Sequence, residues 1–135
     1  MLNVLRTIIL YISLFLSLFL GYNADNLTAT VNDTVTTETK EITVTIKNET
    51  RITTGMNGYY PVQSIEQNVN GEWKQTGYLS SVPEVATVLY PLDKIEHTVY
   101  LESFGILSLS SGEYRLVIPY SADGNRTAYA YFTVA

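Results

Sequence analysis

The chain reads as an all-β protein: an antiparallel β-sandwich of about seven to nine short strands, preceded by an N-terminal export or anchor helix. Three observations predict this. Beyond Asp25 no apolar period of about 3.6 residues runs long enough to sustain a helix. Thr, Val, Ile and Tyr dominate there and alternate with polar residues, the pattern of a strand with one dry and one wet face. Gly, Asn, Asp and Pro punctuate the chain at the spacing of about 8–12 residues expected of a small sandwich.

Residues 1–24 differ in composition from everything after them. Arg6 is the only charge before Asp25, and Thr7 to Leu20 is apolar apart from Thr7, Ser13 and Ser17. A positive start followed by a short apolar run is the secretory signal pattern. As a helix the run spans about 21 Å, against about 30 Å of bilayer hydrocarbon, so a full span would have to bury Arg6 or Asn23. Ala24 and Gly21 are the candidate cleavage positions, each with a large residue, Tyr22 or Phe19, two positions earlier. Tyr22 stands where a lipoprotein signal would carry its cysteine, which excludes lipid attachment there. The segment is expected to direct export, either cleaved or retained as an anchor. The remainder, residues 25–135, is then extracytoplasmic, secreted or held at the cell surface. Removal of residues 1–24 leaves 111 of 135 residues, takes away Arg6 alone and moves the net charge from −5 to −6. About 110 residues bury enough surface for one cooperative core without disulfides.

The strands follow in order. Leu27 to Val31 alternates Leu27, Ala29 and Val31 with threonines. Residues 32–40 are polar and short enough to serve as a turn. Glu41 to Lys47 is the clearest strand, with Ile42, Val44 and Ile46 on one face and Thr43, Thr45 and Lys47 on the other. Thr50 to Thr54 is expected to be a brief edge strand, ended by Gly55 and the Asn57-Gly58 turn pair. Tyr59 to Val69 is expected to run to Asn70-Gly71, with Glu72 to Thr76 returning; Asn-Gly between β-rich arms is the strongest short-range hairpin signal because both positions need positive φ. Val85 to Leu89 is a strand stopped by Pro91. Ile95 to Leu101 alternates again, and His97 falls on the same face as Ile95, Val99 and Leu101. Tyr114 to Ile118 leads to the Asp123-Gly124-Asn125 turn. Thr127 to Val134 closes the chain, with Ala128, Ala130, Phe132 and Val134 opposite Tyr129 and Tyr131.

Composition removes whole classes of chemistry. A net charge of −5, without clustered Lys or Arg, argues against nucleic acid. With no cysteine there is no disulfide, zinc-thiolate site or thiol catalysis, and with one histidine no transition-metal set can be assembled. The 13 acidic residues are scattered singly, and no Gly-x-Ser-x-Gly, His-Glu-x-x-His or Gly-rich phosphate loop is present. No catalytic residue and no cofactor is expected.

The segment Leu107-Ser108-Leu109-Ser110-Ser111-Gly112-Glu113-Tyr114-Arg115-Leu116 resembles the tyrosine corner of Greek-key sandwiches. Gly112 relieves the bend, and the Tyr114 hydroxyl is expected to bond to backbone just upstream. The proline usual before that glycine is Ser111 here. Glu41 to Asn48, Asn70-Gly71-Glu72-Trp73 and Tyr129-Ala130-Tyr131-Phe132-Thr133-Val134 join it in order and spacing. Together, over about residues 26–135, they resemble a bacterial immunoglobulin-like domain family of secreted and membrane-anchored proteins. That resemblance implies an immunoglobulin-like sandwich and an extracytoplasmic setting, and carries no reaction.

Candidate site residues each have a plain structural alternative. Arg115, Val117, Tyr129 and Tyr131 fall opposite the core-facing set, so pairing of their strands would make an aromatic and cationic surface patch, the composition of interface hot spots; the alternative is ordinary cross-strand packing. Trp73, just past the hairpin turn, reads as a packed anchor or as an exposed stacking platform for sugar. His97 reads as a packed residue. Asp123 and Asn125, with Asp33 or Asp93, offer oxygen for calcium, and a hairpin turn explains the same residues. Asn26, Asn32, Asn48 and Asn125 head Asn-x-Thr sequons, which would be glycosylation acceptors in a eukaryotic secretory route; Thr and Asn are simply common in this chain. The expected function is a non-catalytic module binding a protein or cell-envelope component. Carbohydrate binding through tyrosines and Trp73, or inhibition by edge-strand addition, are the other readings. Membrane contact is expected only through residues 1–24.

Overall fold

The computed structural model describes residues 26–135; the expected export segment lies outside them. Within them are nine strands and one 3-10 segment. They are β1 (Thr28–Val31), β2 (Glu41–Lys47), β3 (Thr54–Asn57), β4 (Ser64–Val69), β5 (Glu72–Tyr78), β6 (Ala86–Leu89), β7 (Lys94–Tyr100), the 3-10 segment Leu101–Phe104, β8 (Gly112–Ser121) and β9 (Asn125–Val134). No α-helix occurs among the described residues, and none of their helices is long and apolar enough to cross a membrane.

The strands form two antiparallel sheets. β2 is the middle of the smaller, with β1 on one edge and β7 on the other. β8 organises the larger. β9 pairs along its full length, from Gly112 opposite Val134 to Ser121 opposite Asn125. The other edge of β8 takes first β4, with Gln67 opposite Tyr114, and then β3, with Gly55 opposite Ser121. β5 extends the sheet beyond β4, and β6 beyond β3. The core lies between the sheets because alternation puts apolar side chains there. Ile42, Val44 and Ile46 of β2 face Ile65 of β4, Leu116 and Ile118 of β8, and Ala130 and Val134 of β9, all buried. Tyr114 stacks on Phe132 with ring centroids 5.5 Å apart. This is the two-sheet architecture that the sequence resemblance implies.

Four local expectations change. Residues 50–52 are not a strand: the Asn48 side chain binds the backbone of this loop, so the strand begins at Thr54. Tyr59 to Gln63 is not part of β4. The Asn57 carboxamide accepts hydrogen bonds from the amides of Tyr59 and Tyr60, at 3.1 and 2.8 Å, and Pro61 has no amide to donate. Leu101 leaves β7 and starts the 3-10 segment. The polar stretch 32–40 is more than a turn, because Val35 is buried and forms a parallel bridge with Val134, tying the connection between β1 and β2 to β9 of the larger sheet.

Candidate interaction site

The outward-facing residues of the larger sheet are brought together by strand register. Arg115 of β8 lies opposite Glu66 of β4 on one side and Tyr131 of β9 on the other. Val117 lies opposite Tyr129, and Asn68 opposite Trp73 of β5. A bulge between Ile65 and Glu66 shifts the β4–β5 register beside this row.

Arg115 is the centre. Its Nε donates to Glu66 Oε1 at 2.6 Å, and its guanidinium carbon lies 4.4 Å from the Trp73 ring centroid and 3.9 Å from that of Tyr129. Tyr131 meets Trp73 edge-on at 5.7 Å and Tyr129 at 6.2 Å. Burial pulls the guanidinium pKa down, but the bonded Glu66 carboxylate, with the Tyr131 and Tyr129 hydroxyls beside it, outweighs this and holds the group above its ordinary value. The cation is already neutralised and stacked, and what it offers is rigidity. Tyr131 is 60% exposed, and a hollow of about 270 Å3 lined by Trp73, Glu113, Tyr131 and Thr133 adjoins it.

The structure thus brings Arg115, Val117, Tyr129 and Tyr131 onto one face and adds Trp73, which is half-buried outside the core. Glu66 is the member that sequence reasoning missed. No local pattern reveals which strand lies beside β8, so nothing in the sequence pairs Glu66 with Arg115. Tyr114 Oη donates to Ser110 O at 2.8 Å, while Gly112 has φ +147° and a Cβ there would come 3.1 Å from Gln67 Nε2. His97 is half-buried on the inner side of β7, and burial lowers its pKa.

The remaining candidates separate. Asp123 and Gly124, both at positive φ, form the β8–β9 turn; Asp33 accepts a hydrogen bond from the Thr43 amide at 2.6 Å. Among the described residues no three His or acidic side chains converge to hold a metal. Asn26, Asn32 and Asn125 are exposed, whereas Asn48 is fully buried.

Residues 23–133 match the family described as bacterial Ig-like domain. No curated protein matches the chain.

Proposed function

The chain belongs to the bacterial Ig-like domain family, and from that premise we propose that it is a non-catalytic, exported module that docks on a protein of the cell envelope through the outer face of β5, β4, β8 and β9. The observation that carries this reading is Arg115 locked between Trp73 and Tyr129 by Glu66. Such a stack fixes Tyr131 and the neighbouring rings in advance, so little rotamer entropy is lost when a partner covers them. Aromatic side chains around an arginine are the composition of binding hot spots. Protein docking is favoured over sugar stacking at this face because Arg115 already occupies the Trp73 ring. The apolar run from Thr7 to Leu20 supports export, with residues 1–24 either removed or kept as the anchor.

The test uses a photoreactive benzoylphenylalanine at Tyr131 in the producing cells, with the same group at Thr43, outside the smaller sheet, as control. A discrete envelope-protein adduct is expected from Tyr131 alone. The double substitution Tyr129→Ser and Tyr131→Ser should weaken that interaction by about tenfold or more while hardly moving the melting temperature. Equal adducts from both positions, or none from Tyr131, would reject docking at this face. A large loss of stability in the double variant would make the tyrosines structural instead.

A further inference from the structure

A second concave site lies on the open side of the sandwich, between β7 and the segment joining β3 to β4. Its cavity volume is about 340 Å3, and Tyr59, Tyr60, His97, Tyr100, Ser103 and Phe104 are among the residues lining it. It shares no residue with the aromatic face around Arg115.

Packing explains the apolar floor of this cleft but not its rim. Phe104 is buried and closes the interior. Tyr59 and Tyr100 are 67% and 56% exposed, and Tyr60 is also exposed. Exposed rings on a loose loop would be unremarkable, but this loop is fastened at both ends. Before the tyrosines, the Asn57 side chain accepts from both of their amides and donates to Pro83 O at 2.7 Å. After them, Pro61 and Val62 are buried. The fold therefore fixes the backbone that presents two aromatic side chains to solvent, opposite a wall made by β7 and the 3-10 segment.

The chemistry of the lining selects a ligand class. No Lys, Arg, Asp or Glu lines the cleft, so it has no complement for an ion, a nucleotide or a charged peptide. Among its lining residues Tyr59, Tyr60 and Ser103 bear hydroxyls and His97 an imidazole. None of these groups is spent on a hydrogen bond to another side chain or to backbone among the described residues. Each hydroxyl both donates and accepts, and a neutral imidazole does one of each. A ligand matching this set is uncharged, has an apolar face to lie on a tyrosine ring, and bears several groups that donate and accept. A pyranose has all three properties, with axial C–H groups on a face and hydroxyls around the ring. The volume lies at the small end for ligand sites, suited to one sugar ring rather than a long chain. We infer that the cleft between β7 and the Tyr59-Tyr60 loop binds a single neutral pyranose ring.

The test is saturation-transfer NMR on the full chain with glucose, galactose, N-acetylglucosamine and N-acetylgalactosamine, each at millimolar concentration, followed by amide shift mapping. Transfer to the ring protons of at least one sugar is expected, with shifts gathered at Tyr59, Tyr60, His97 and Ser103. Tyr59→Ser and Tyr60→Ser should each weaken binding about tenfold, whereas Tyr131→Ser should leave it unchanged. Since Tyr59 and Tyr60 are exposed, these variants keep the fold, which their amide spectra will report. Absence of transfer to all four sugars overturns the inference. So does a set of shifts centred on Trp73 and Tyr131, or binding that survives both cleft substitutions.

Discussion

Asn48 shows how much one buried polar side chain decides. Its Nδ2 donates to Ile52 O at 2.9 Å and to Leu89 O at 2.8 Å, while its Oδ1 accepts from the amide and the hydroxyl of Thr50 at 3.0 and 2.6 Å. Every polar atom is satisfied with no exposure to water, and the side chain ties the loop after β2 to the end of β6. Asn48→Ala removes all four bonds at once: the buried Thr50 amide loses its acceptor, and the Ile52 and Leu89 carbonyls keep the bonds from the Thr50 and Thr54 hydroxyls, at 3.0 and 3.4 Å. The expected loss is about 3 kcal/mol or more, read from chemical denaturation midpoints. A loss below about 1 kcal/mol would mean that water takes over the site. The same burial closes the Asn48-Glu49-Thr50 sequon to any enzyme once the chain has folded. In the sequence that sequon is indistinguishable from those at Asn26, Asn32 and Asn125, because burial of an asparagine depends on elements remote in the chain.

The elements differ in how openly the sequence announces them. β2 occupies the span its alternation predicts, since every second residue from Ile42 to Ile46 is apolar and one face alone is buried. The β4–β5 hairpin is equally legible: Asn70 and Gly71 adopt φ +54° and +85°, the conformation that favours this residue pair. Gly71→Val forces a β-branched side chain into that conformation. It should cost about 1–2 kcal/mol in urea denaturation followed by Trp73 fluorescence. A negligible loss would show that the turn can change type without disturbing the pairing of Val69 with Glu72. The stretch Tyr59 to Gln63 was unreadable for a physical reason. Its residues favour a strand, but the Asn57 side chain captures the next two amides and Pro61 interrupts the ladder, so local hydrogen bonding defeats propensity. The 3-10 segment after β7 ends at Gly105 in the left-handed region, where the amide returns to the Glu102 and Leu101 carbonyls.

At the scale of the whole molecule, a sandwich without disulfides rests on its intersheet packing, and the one histidine reports on that packing as pH changes. Burial lowers the His97 pKa from 6.5, so the folded protein resists a proton that the unfolded chain accepts. The sign follows: this group costs nothing above about pH 6.5, and stability falls as the pH drops through the window beneath it. The melting temperature should decline between about pH 7 and about pH 5, and His97→Gln should flatten the decline. An equally steep decline in the variant would assign the effect to other groups. The sequence by itself determined the β class, the strands with clean alternation, the hairpin turns, the tyrosine corner and the family, because each is written in residues close together in the chain. Only the tertiary structure decided that Glu66 faces Arg115, that Trp73 joins the outer face instead of the core, and that the Tyr59-Tyr60 loop confronts His97 across a cleft. These meetings join residues tens of positions apart. They are set by which strand lies beside which, and no local pattern of residues encodes that choice.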